Sequence, residues 1–96
     1  MDNTTTPETL PILDVAEYEL NDKAGAYDAY KEHGLAFDRG AADAWYSRGP
    51  EPHYWPEGSY KGTMVEKEQM TLNELDAYYA GYYIHEADPG YRKQYD

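Results

Sequence analysis

The spacing of apolar positions changes several times along this chain, and each change marks an element. Residues 1–11 are polar, with Pro7 and Pro11 closing them off, which predicts a loose tail over residues 1–12. Asp14 then stands where a helix N-cap belongs, and Glu17 follows three residues later, close to the capping-box spacing. A first helix is expected from near Val15, with Val15, Tyr18 and Leu20 on its apolar side and Asn21-Asp22 at its end.

Between residues 24 and 48 the apolar and small residues Tyr27, Tyr30, Gly34, Phe37, Ala41, Ala44 and Trp45 recur at three- and four-residue steps, one face of an α-helix. Gly34 and Gly40 each weaken a helix by roughly 1 kcal/mol relative to Ala. The stretch therefore divides into two helical pieces with a break at His33–Leu35. Small residues on the apolar face would let a partner helix approach closely.

Residues 49–62 read GPEPHYWPEGSYKG, and their prolines and glycines exclude an uninterrupted helix or a central strand. A loop is expected there, with His53, Tyr54, Trp55 and Tyr60 packing back onto the helices. Thr63–Val65 forms a short extended segment in this reading. Thr71 and Glu74 then give the capping-box pattern at a helix start. Leu72, Leu75, Tyr79, Tyr82 and Glu86 follow helical spacing, flanked by Tyr78 and Tyr83, until Asp88-Pro89-Gly90 stops the helix. The expected fold is mostly α: a small helical hairpin or three-helix domain over residues 13–90, closed by an aromatic Pro/Gly-rich loop, with residues 91–96 as a C-terminal tail.

Composition sharpens this picture. The 96 residues include 12 Tyr and 2 Trp but 1 Phe, and 19 acidic against 8 basic side chains give a net charge of −11. High charge with low hydropathy points to disorder, whereas each aromatic ring can bury on the order of 150–250 Å². A folded domain with a Tyr/Trp-rich core and an acidic surface reconciles the two. Some of the tyrosines are expected at the surface, where they make good contact residues; the competing expectation is that they fill the core with their hydroxyls at the rim.

The residue inventory excludes much chemistry. The absence of cysteine removes disulfides, thiolate nucleophiles and Cys-type zinc sites. The three histidines, His33, His53 and His85, form no HExxH and no i, i+4 pair, so a zinc site would need His53 and His85 to meet beside Glu51 or Glu86. Ser47 and Ser59 lie in no GxSxG turn, and Lys61-Gly62 supplies no phosphate-binding loop. So small a chain also has little room for a pocket of several hundred Å³. No catalytic residue, cofactor or metal is expected. No apolar run reaches the roughly 18–20 residues of a membrane span, and the first residues lack the pattern of a secretory signal, so the expected compartment is the cytoplasm.

The basic residues are scattered, and Arg39 and Arg48 are expected to pair with Asp38, Asp43 or other carboxylates. The acids are denser. Residues 1–32 hold eight acidic and two basic side chains, a net −6. A surface of this sign repels phosphates and anionic lipid, so neither direct nucleic-acid binding nor membrane binding is expected. Carboxylates three to four residues apart on a helix lie roughly 5–6 Å apart between Cβ atoms, a spacing comparable with that of backbone phosphates. An acidic helical surface can therefore occupy the basic channel of a nucleic-acid-binding protein. The alternative is a solvated acidic face that keeps the chain soluble.

FDRGAADAWYSRGPEPHYWPEG followed by TLNELDAYYAGYYIHE resembles a small family of phage and proteobacterial proteins, itself distantly similar to ribosome modulation factor. Arg39, Gly40, Arg48, His53 and Tyr54, then Tyr78, Gly81 and Tyr82, carry the resemblance. It covers about half the chain and implies a helical hairpin, with Gly40 and Gly81 letting two helices cross beside Trp45 and Tyr82. Ribosome modulation factor is strongly basic and this chain is not, so the resemblance does not extend to rRNA binding.

Together these readings lead to a non-enzymatic, phage-encoded inhibitor. It would block the basic surface of a host nucleic-acid-binding protein or complex, in the manner of anti-restriction and anti-CRISPR proteins. The expected contact residues are Glu17, Asp22, Tyr27, Asp28, Tyr30, Glu32, Asp38 and Asp43, the two tyrosines only where they are not core; a homodimer is left open. The alternatives are a ribosome-associated regulator contacting ribosomal proteins, and a small metal-dependent enzyme using His53 and His85.

Overall fold

The computed structural model describes residues 13–87; the expected tails, the Asp88-Pro89-Gly90 stop and the basic Arg92-Lys93 pair lie outside them. Three helices carry the fold: α1 (Val15–Lys23), α2 (Ala36–Trp45) and α3 (Leu72–Ala87). Two-residue strands β1 (His53–Tyr54) and β2 (Val65–Glu66) pair antiparallel, with His53 opposite Glu66 and Tyr54 opposite Val65. No described helix is long and apolar enough to cross a membrane.

α3 packs against both α1 and α2, so its buried residues are spread over much of its circumference: Leu75, Ala77, Tyr78, Ala80, Gly81, Tyr82 and Ile84. A helix buried on more than one side loses the single apolar stripe of a surface helix. Its start is the expected capping box. The Thr71 N–H donates to the Glu74 carboxylate at 2.8 Å, and the Glu74 N–H donates to the Thr71 hydroxyl at 3.1 Å. Glu86, placed on the apolar side by spacing alone, is exposed.

The α2–α3 crossing is set by two glycines. A Cβ on Gly40 would fall 2.0 Å from the Tyr78 carbonyl oxygen, and one on Gly81 would fall 2.2 Å from that of Phe37. The two backbones interlock where both side chains are missing, as the pair of glycines led one to expect. The helix-weakening effect of Gly40 is the cost of that approach.

Other elements depart from expectation. α1 runs on to Lys23, and Asp14 caps it without a side-chain hydrogen bond; the Glu17 and Tyr18 N–H groups reach the Asp14 carbonyl instead. Tyr18 is the buried residue of α1, whereas Leu20 is exposed. The first piece of the 24–48 stretch is a single 3₁₀ turn, Asp28–Tyr30, and not a helix. The break after it is real: Gly34 adopts φ +92°, a conformation closed to most side chains, before α2 begins at Ala36. The proline-rich loop gains order through β1, and the Trp55 N–H donates to the Gly34 carbonyl at 2.7 Å.

Among the described residues five of the twelve buried apolar ones are aromatic, and the buried and half-buried phenols named here find partners inside the fold. Tyr27 donates to Asp76 at 2.9 Å, Tyr54 to Glu74 at 2.9 Å, and Tyr82 to the Arg48 carbonyl. Tyr18 accepts the Leu13 N–H, and Tyr78 accepts the Glu51 N–H while donating to Asp43. Tyr78 stacks on Tyr82 and Tyr79 on Tyr83, the i, i+4 pairs of α3. Among the described tyrosines, only Tyr46 and Tyr60 are exposed.

Candidate functional site

The expected contact residues do not form one surface. Glu17, Asp28 and Glu32 are exposed. Asp22 is half-buried and ion-paired with Lys31, which also lies 3.4 Å from Asp28. Lys31 caps the Phe37 ring at 5.1 Å, so three expected or neighbouring charges are spent on one another. Asp38 is half-buried and accepts the Gly34 N–H at 2.8 Å, closing the break before α2. Tyr30 is half-buried against the core.

Two of those residues are core. Tyr27 is 3% exposed, and burial, reinforced by its bond to Asp76, pushes its phenol up to about 12. Asp43 is also 3% exposed; it accepts from the Tyr78 hydroxyl and from Arg48 Nε at 2.9 Å. Burial and the Asp43 carboxylate raise the Tyr78 phenol far above the ordinary tyrosine value. Neither Tyr27 nor Asp43 can meet a partner, because a helical stripe of aromatics and short acids reads the same whether it faces water or another helix.

The expected pairing of Arg48 with Asp43 is present, but among the described residues Arg39 pairs with no carboxylate. It is 6% exposed and lies under the proline-rich loop. Its Nε–H donates to His53 Nε2 at 3.1 Å, its Nη1–H to Ser59 at 3.2 Å and its Nη2–H to the Tyr60 hydroxyl at 3.3 Å. His53 Nδ1 sits 2.6 Å from the Glu51 carbonyl, which can only accept, so the ring proton is on Nδ1 and Nε2 is free to accept from Arg39. The Tyr60 ring stands over the guanidinium at 5.1 Å, and the exposed Tyr46 ring lies 4.8 Å from that of Arg48.

Arg39, Arg48, His53, Trp55, Tyr60 and Met64 line an open cleft of about 960 Å³ between α2 and the loop. Chain length alone predicts no room for such a space; it opens between α2 and the part of the loop that carries Pro50 and Pro52. The sequence predicts an ion pair for Arg39 with Asp38, Asp43 or another carboxylate. At roughly 100° per residue Arg39 stands about 160° from Phe37, off the apolar stripe of α2, so no local signal marks it for burial; the proline-rich loop covers it.

His53 serves Arg39, whereas His85 bonds the Gly81 carbonyl at 2.8 Å and packs edge-on against Phe37 and Trp45. Among the described residues no group of three His, Cys, Asp or Glu side chains is placed to hold a metal ion. No family model matches this sequence, and no curated protein or solved structure matches it either.

Proposed function

We propose that this chain is a non-enzymatic acidic binding protein that occupies the basic nucleic-acid-binding surface of a host protein. The observation that carries this reading is the charge of the segment from Asp14 to Glu32. Asp14, Glu17, Glu19, Asp28 and Glu32 are exposed there, against Lys23 and a Lys31 already engaged by Asp22 and Asp28. At roughly 100° per residue, Glu17 and Asp22 stand about 140° apart around α1. The acids wrap the helix instead of forming one stripe, which suits a basic groove that closes around its ligand better than a flat basic patch. Such an association is steered by charge and weakens as salt screens it.

The test is capture of the partner from host extract. Release by rising ionic strength and by competing duplex DNA supports the reading, as does a slower association for the doubly reversed variant Glu17→Lys/Glu32→Lys. Affinity that stays flat across a wide salt range sinks it.

One observation favours a second reading, a ribosome-associated regulator that contacts ribosomal proteins. The residues behind the hairpin resemblance cluster around the α2–α3 crossing and the cleft beside it, with Arg39 on His53 and Gly40 against Tyr78. Co-sedimentation with small ribosomal subunits supports it, and absence from those fractions removes it.

A further inference from the structure

Among the described residues two charged side chains are buried, and they are treated differently by the fold. Asp43 has Arg48 beside it. Arg39 has three neutral acceptors and no counter-charge. A guanidinium carries five N–H groups, so two remain beyond those three bonds. A buried cation without an anion is costly, and neutral acceptors do not cancel its charge.

A second group in the same cleft lacks the same thing. The Trp55 indole Nε1 is buried and has no hydrogen-bond partner. Trp55 and Arg39 meet through Tyr60, whose ring centroid is 5.5 Å from that of Trp55 and 5.1 Å from the guanidinium carbon. Arg39 thus has surplus donors and no anion of its own, although the cleft lining as a whole carries Asp43, Glu51, Glu66 and Glu68 against Arg39, Arg48 and Lys67. Tyr60 covers Arg39 by the longest of its three bonds, is 69% exposed, and adopts φ +66°, so it is the least firmly held of the Arg39 partners.

We propose that this cleft binds a carboxylate. The carboxylate takes the Arg39 N–H groups that no protein acceptor uses, together with the Trp55 indole N–H, and the apolar body that carries it lies against Trp55, Tyr60 and Met64. A carboxylate is acceptor-only and planar, which matches an arginine fork. Asp43, Glu51, Glu66 and Glu68 line the same cleft, so a phosphate dianion is repelled more strongly than a carboxylate monoanion. This inference does not rest on the basic-partner reading, since it concerns a different face and a ligand of opposite charge.

The experiment follows the Trp55 indole N–H resonance of the full chain by NMR as phenylacetate, phenylacetamide and phenyl phosphate are added in turn. Saturable movement with phenylacetate is expected, with the amide about tenfold weaker or worse because it lacks the charge. No saturable movement with phenylacetate, equal binding of the amide, or tighter binding of the phosphate each overturns the proposal. Two peptides then separate the sources of a carboxylate: one with a free C-terminus after an apolar residue, and an amidated one with an internal Asp. Binding of the first alone assigns a chain terminus, binding of the second alone assigns an acidic side chain, and binding of neither counts against the site. Trp55→Phe keeps an aromatic ring and removes both the donor and the reporter, so its phenylacetate affinity is read from the Tyr60 ring resonances; a several-fold loss at unchanged melting temperature is expected, and unchanged affinity overturns the role given to the indole.

Discussion

The α2–α3 crossing and the segment from α1 through the 3₁₀ turn use the same residue types, tyrosines and short acids with a few cations, and put them to opposite use. At the crossing, Asp43 is enclosed by Tyr78 and Arg48, and Gly40 and Gly81 bring the backbones into contact. In the N-terminal segment Asp22, Asp28 and Lys31 hold one another near the surface, and Leu20 points to solvent. The difference teaches that a carboxylate contributes structure only where the chain removes it from water and supplies its donors. The same group outside contributes charge.

The comparison breaks most readily at the glycines. Gly40→Ala forces a methyl group onto the Tyr78 carbonyl, where overpacking costs about 3 kcal/mol, and chemical denaturation should show that loss in full. If Gly40→Ala melts like the parent, the interlocked crossing is wrong. Asp43→Ala comes next. It leaves the Tyr78 hydroxyl and Arg48 without their acceptor, and a loss of about 2 kcal/mol is expected by the same measurement.

Alkaline titration sharpens the contrast further. The folded state holds the Tyr18, Tyr27, Tyr54, Tyr78 and Tyr83 phenols above their ordinary value of 10.0, chiefly by burial. Above that value the unfolded chain releases phenolic protons that the folded chain keeps, so stability is complete below it and falls as pH rises. For Tyr27 the loss spans pH 10 to about 12, and Tyr27→Phe should flatten the slope in that window. Denaturant midpoints measured across it, with phenolate absorbance as a second probe, decide the matter. The smallest effect belongs to the surface: Lys31→Ala removes a partly exposed ion pair and should change stability by less than about 1 kcal/mol in denaturant melts. A larger change would mean that the N-terminal segment is tied down as firmly as the crossing.

Most of the helical architecture is legible in the chain because its signals are local. Thr71 and Glu74 satisfy each other's backbone within one turn, and Gly34 stops a helix wherever it requires a positive φ. The capping box at Asp14 misleads for the same local reason: a short acid at that spacing has two ways to satisfy the first turn, and here the carbonyl serves. The spacing predicts helix at Asp28–Tyr30, where a 3₁₀ turn forms, because the three-residue step from Tyr27 to Tyr30 fits either winding.

What the sequence determined by itself is therefore the set of elements and the need for two close backbones. Hydrogen bonding within four residues and the absence of a side chain at Gly40 and Gly81 depend on nothing remote. Only the tertiary structure decided which charges are inside. Arg39 and Asp43 lie one turn apart on α2, and nothing local distinguishes a solvated i, i+4 pair from two groups with separate partners. Those partners, His53, Ser59 and Tyr60 for one and Tyr78 for the other, arrive from 14 to 35 residues away. Burial is a property of what packs over a residue, and that is written elsewhere in the chain.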